Sequence, residues 1–84
     1  MSKRALNSVA YELLVQILVS ERIAREVSQD ELARGVGVSR QSISAYENLT
    51  RAMSIDTALD ISRYLGVDWI TLNRRWLSAI SKRS

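Results

Sequence analysis

Cysteine and histidine are both absent from this 84-residue chain. Without cysteine there is no disulfide, no thiolate metal site and no thiol nucleophile. Without histidine, the commonest metal ligand and the commonest general base are missing too. Proline is absent and glycine occurs three times, a composition that suits helices joined by short turns. No apolar run approaches the roughly 18 residues of a membrane span. The first residues show no signal-peptide pattern with a small-residue cleavage site. These absences speak against an enzyme. Neither cofactor nor metal is expected, and a cytoplasmic protein with no membrane partner is.

What is present is ordinary for a globular protein: 46% hydrophobic and 25% charged residues, enough for one small domain spanning residues 1–84. The net charge of +3 is unevenly spread. Residues 1–11 carry Lys3 and Arg4 and no acid, and residues 69–84 carry Arg74, Arg75, Lys82 and Arg83 and no acid. All nine acids lie between, against six arginines. Basic ends on a helical domain suit an anionic partner, nucleic acid first among them. Solubilising termini are the plainer reading of the same charges.

Hydrophobic spacing predicts five helices, at about 6–25, 29–36, 39–48, 54–65 and 68–82. In the first, Leu6, Val9, Ala10, Leu13, Leu14, Ile17 and Leu18 recur at helical spacing, with Tyr11, Val15 and Val19 as a second strip. A helix apolar over two strips packs on two sides. Ser28 and Glu31 form a capping box, Ser39 and Ser54 are N-caps, and Asp68 caps the last helix. Gly37 and Gly66 stand where helices two and four end. The last helix carries a stripe of Trp69, Leu72, Trp76 and Ile80, with Ile70 and Leu77 beside it.

The stretch from Gln29 to Asn48 holds the strongest signal. Two short helices flank Gly37-Val38-Ser39, a turn too tight for antiparallel packing, so the second helix is pushed outward. Ala33 permits close approach, Val38 plugs the corner, and Ile43 and Tyr46 pin the second helix to the core. Arg40, Gln41, Ser44 and Ala45 are left on its open face.

This pattern resembles the helix-turn-helix of the lambda-repressor and Cro type, the XRE family. Val27-Ser28-Gln29-Asp30-Glu31-Leu32-Ala33 is similar to the family's opening, and Gly37-Val38-Ser39-Arg40-Gln41-Ser42-Ile43-Ser44 to its turn and recognition helix. Tyr46-Glu47-Asn48, Ile55-Asp56-Thr57-Ala58-Leu59 and Tyr64-Leu65-Gly66-Val67 extend the likeness to about residues 22–67. The resemblance implies an all-α, five-helix lambda-repressor-like fold, here with a first helix about three turns longer than the family's. Two positions depart from the family pattern. Leu49 stands where glycine usually follows the third helix, and Met53 where proline often precedes the fourth.

The resemblance further implies roles for individual residues. Arg40, Gln41, Ser44 and Ala45 are candidates for reading bases. Arginine suits guanine O6 and N7, glutamine suits adenine N6 and N7, and Ala45 suits a thymine methyl or simply close approach. Gln29, Ser39, Ser42, Asn48, Thr50 and Arg51 are candidates for phosphate contacts. Tyr46 and Glu47 read as structural, and Tyr11 and Tyr64 as packing residues. On the last helix, Trp69 and Leu72 are expected to anchor it to its own domain, and Trp76, Leu77 and Ile80 to meet a second subunit, the extended first helix of the same chain being the other surface within their reach. The expected partners are double-stranded DNA and a second copy of the chain. The function expected is a sequence-specific transcriptional regulator, a repressor on a pseudo-palindromic operator. The alternative is an antitoxin or other protein-interaction module of the same fold, with a protein partner.

Overall fold

Serine opens four of the five helices in the structure, a computed structural model that describes residues 8–83. Ser8, Ser28, Ser39 and Ser54 all have extended backbone, and the hydroxyl of each accepts the amide three residues on. These hydroxyls satisfy amides that the first helical turn cannot. Asp68 does the same for the fifth helix, its carboxylate accepting the Thr71 N–H at 2.8 Å. The capping box is complete, because the Glu31 carboxylate accepts the Ser28 N–H at 2.9 Å.

The helices are α1 (Val9–Ala24), α2 (Gln29–Val36), α3 (Arg40–Glu47), α4 (Ile55–Tyr64) and α5 (Trp69–Arg83). The expected start of the first helix at Leu6 falls outside the described residues; within them α1 begins after its cap, Ser8. Four helices end in the same way. After α1, α2, α3 and α4 one residue takes left-handed backbone, and the next amide reaches back to a carbonyl in the last turn: Val27 to Arg22, Val38 to Ala33, Thr50 to Ala45 and Val67 to Ser62. Gly37 and Gly66 fill that position after α2 and α4, but Glu26 and Leu49 fill it after α1 and α3. A side chain there costs on the order of 1 kcal/mol.

The core draws on every helix: Leu14 and Leu18, Leu32 and Ala33, Ile43 and Tyr46, Ala58 and Ile61, and Leu72, with Leu65 and Val67 between α4 and α5. Leu32, Ile43 and Leu72 are wholly enclosed. α1 packs against both α3 and α5, as its double apolar strip requires. α2 lies against α3 and α4. The approach of α2 to α4 depends on Gly35, because a Cβ there would lie 2.2 Å from the Tyr64 ring.

One expectation about α5 is reversed. Leu72 is fully buried, but Trp69 is 42% exposed and does not anchor the helix. Trp76 takes that part, with its indole N–H donating to the Ala10 carbonyl at 2.7 Å. Trp69 stands at the first residue of α5, whereas Trp76 falls where the N-terminal turns of α1 can cover it.

Candidate nucleic-acid interface

α3 projects from this core with its inner face secured. Ile43 and Tyr46 are buried, while Arg40 and Gln41 stand exposed at its first turn and Ser44 and Ala45 follow one turn on, half-exposed. With Asn48 and Thr50 these four line one shallow, open depression along the outer face of α3. The Asn48 side-chain amide leans toward Ser44 Oγ at 3.4 Å, and the Thr50 hydroxyl donates to the Ala45 carbonyl at 3.3 Å. The depression is lined by one guanidinium, two side-chain amides, two hydroxyls and a methyl group. That set matches the donors, acceptors and thymine methyl of a major groove.

The far end of α3 is fixed by charge. Glu47 accepts two hydrogen bonds from Arg22 of α1, at 2.7 and 2.9 Å, and one from the Gln29 amide of α2 at 2.9 Å. Arg22 also donates to the Val27 carbonyl at 2.9 Å. The Arg22 and Glu47 side chains are each 14% exposed, so the pair is largely desolvated. One carboxylate therefore ties together three helices and sets the pose of α3.

The other phosphate candidates separate into two kinds. Gln29 opens α2 and is half-buried, its amide already engaged by Glu47. Ser39 is exposed and caps α3. Ser42 is placed otherwise than its expected role suggests. It is buried, and its hydroxyl accepts from Ser39 Oγ and from Arg51 Nη1, both at 3.0 Å. Arg51 lies over the Tyr46 ring, 5.6 Å from its centroid, within the range of a cation–π contact. Its guanidinium thus rests against α3 while the residue stays exposed.

The α5 candidates are scattered. Trp76 is committed to α1, Ile80 is half-buried, and Leu77 is 55% exposed. Trp69 and Ile70 add to the apolar surface on the same helix. Arg75 does not face outward. It donates to Glu21 of α1 at 2.5 Å, and Arg25 donates to the same carboxylate at 2.9 Å. These two guanidinium groups, Arg25 first, hold the Glu21 carboxyl below its ordinary pKa.

Two contributors to the interface carry no local sequence signal. Arg22 lies 25 residues from Glu47, and no short-range pattern links them. Tyr11, read as packing, accepts the Met53 N–H on its hydroxyl at 3.0 Å across 42 residues. The missing proline at 53 is the one clue, since proline would have no N–H to donate. Among the described residues no helix is long and apolar enough to cross a membrane.

Comparison with known proteins places this fold and sequence among helix-turn-helix proteins. The Cryptic phage CTXphi transcriptional repressor RstR of Vibrio cholerae is 33% identical over 46 residues, 55% of this chain. The chain spans about two-fifths (41%) of that relative's length. A crystal structure of a mutant restriction-modification controller protein, C.Esp1396I, superimposes with a TM-score of 0.84 at 21% identity, covering 92% of this chain and all of that one. The clp gene regulator ClgR from Corynebacterium glutamicum gives a TM-score of 0.78 at 21% identity, covering 90% of this chain and 81% of its own. The family model described as "Helix-turn-helix" matches residues 18–72, well over half of the sequence, and the chain belongs to that family.

Proposed function

We propose that this protein is a sequence-specific DNA-binding transcriptional regulator that acts in the cytoplasm as a repressor and binds as a dimer, without catalysis. The observation that carries the reading is the gathering of Arg40, Gln41, Ser44, Ala45, Asn48 and Thr50 on one open face of a helix whose other face is buried. In this reading Arg40 and Gln41 enter the major groove and read base edges. Arg51, Ser39 and the α2 N-terminus at Gln29 approach the flanking phosphates. Ser42 serves from within, bracing Ser39 and Arg51.

One recognition helix reads only a few base pairs, so useful specificity calls for two. A dimer built on α5 supports this: Leu77, with Trp69 and Ile70, offers exposed apolar surface, while Trp76 and Ile80 sit half-buried behind it. Two such helices engage half-sites about 34 Å apart. The cognate sequence is then an inverted repeat.

Selection from a pool of random duplexes tests the proposal, and an enriched inverted repeat is expected. On that sequence Arg40→Ala weakens specific binding by about 1–3 kcal/mol and relaxes preference at one base pair. Leu77→Asp shifts the protein toward monomer in sedimentation and lowers operator affinity. Selection that enriches nothing, or an Arg40→Ala protein whose specific-to-random ratio is unchanged, removes the reading.

A further inference from the structure

The segment 48–54 leaves the recognition helix carrying Thr50 and Arg51, and three contacts give it its shape. Leu49 takes left-handed backbone, Arg51 lies over Tyr46 with a bond to Ser42, and the Met53 N–H donates to the Tyr11 hydroxyl at 3.0 Å. The first two lie within α3 and its exit. The third comes from α1, and from the part of α1 that precedes the family match at residue 18.

Met53 stands just before the Ser54 cap, so its amide has no helical carbonyl to reach. Tyr11 supplies the acceptor. Both residues are half-buried, and Tyr11, Met53 and Ser54 line the same apolar groove between α1 and α4. The ring fills space there that phenylalanine would fill equally. The hydroxyl does something separate: it holds the C-terminal end of the segment, two residues after Arg51.

We propose that Tyr11 is a positioning residue for DNA binding, holding segment 48–54 so that the Arg51 guanidinium stays at the edge of the reading surface. Tyr11 touches no DNA in this scheme and acts through Arg51. The inference rests on the reading of Arg51 as a phosphate contact.

The test uses the full chain and a fluorescein-labelled 30-base-pair duplex of mixed sequence, with affinity measured by anisotropy across a KCl series. Tyr11→Phe should melt within a few degrees of the parent protein. It should bind about three- to tenfold more weakly, a loss bounded by the worth of the one hydrogen bond that orders the segment. Arg51→Ala should bind more weakly still, with the slope of log affinity against log salt reduced by about one per protomer. The double variant should bind no worse than Arg51→Ala alone, because the hydroxyl has nothing to position once the guanidinium is gone. If Arg51→Ala binds like the parent, the phosphate reading fails and takes this inference with it. If Arg51→Ala is weakened while Tyr11→Phe is not, or if the two losses add in full, Tyr11 is not positioning Arg51 and only this inference falls.

Discussion

Glu47→Ala probes a place where three helices share a charge. The carboxylate holds Arg22 through bonds of 2.7 and 2.9 Å and Gln29 through one of 2.9 Å. Truncation strands the Arg22 guanidinium in a site where its side chain is 14% exposed, with the Val27 carbonyl as its remaining partner. Breaking a fully buried pair costs about 3–5 kcal/mol, and the residual solvent access here lowers that to about 2–3 kcal/mol. An 84-residue chain has on the order of 4–13 kcal/mol to lose, so Tm should fall by roughly 10–20 °C. Urea titration followed by far-ultraviolet circular dichroism measures the loss. Tryptophan emission, dominated on unfolding by Trp76, shows whether the transition remains two-state. Arg22→Met should cost a similar amount, and the double variant Arg22→Met/Glu47→Ala about as much as either alone, a coupling of about 2 kcal/mol. Strictly additive losses, or a Glu47→Ala cost under about 0.5 kcal/mol, would show that the pair is not coupled and that α3 is held by apolar packing alone.

Gly35→Ala should destabilise by about 1 kcal/mol, since displacing the Tyr64 ring outweighs the better helix propensity of alanine. In a Tyr64→Ala background the same change should stabilise by about 1 kcal/mol, and equal effects in both backgrounds would refute the contact. Glu26→Gly should raise stability by about 0.5–1 kcal/mol in denaturant melts by relieving left-handed backbone at an exposed site; a loss would refute the strain. Glu21, between Arg25 and Arg75, and Asp68, which accepts the Thr71 amide, both have folded pKa values below their ordinary ones. Their stabilisation is therefore complete above the unfolded carboxylate pKa near 4 and lost as pH falls through the lower folded values. With no histidine in the chain, thermal melts should be flat from about pH 5 to 8 and fall in acid, and Glu21→Gln should shallow that fall.

What the sequence made legible was encoded within a few residues. Each cap lies three positions from the amide it serves, so Ser28, Ser39, Ser54 and Asp68 announce their helices. Ser8 went unread because it sits inside an apolar pattern that continues back through Leu6. The outward face of α3 followed from Ile43 and Tyr46 being inward, which gives Arg40, Gln41, Ser44 and Ala45 by elimination. The rest depends on which elements meet. The periodicity of α5 gives the phase of its stripe but not how far a neighbour reaches along it, hence Trp76 and not Trp69 is the tryptophan that meets α1. Ser42 looked available at the start of a helix, but the return of Arg51 nine residues later encloses its hydroxyl. Leu49 in left-handed backbone has no glycine to signal it. Its turn is imposed by the Thr50 amide reaching the Ala45 carbonyl.

The bond from the Trp76 indole to the Ala10 carbonyl joins positions 66 apart. Bringing such distant points together costs about 4 kcal/mol of chain entropy beyond a fixed offset. The pairs α2 with α3 and α4 with α5, by contrast, are consecutive in sequence and form from local encounters. Docking of α5 onto α1 is therefore the step that closes the domain, and it is repaid by burial of Leu72 and by the reach of Arg75 to Glu21. Run in reverse, it is expected to be the first contact to open. Partial unfolding is then expected to begin as a hinged release of the C-terminal helix, baring Leu14 beside Trp76 while Ile43 still holds α3 to its neighbours. In native-state hydrogen exchange, α5 would form a cooperative unit of lower stability than α2 and α3, which pack against each other.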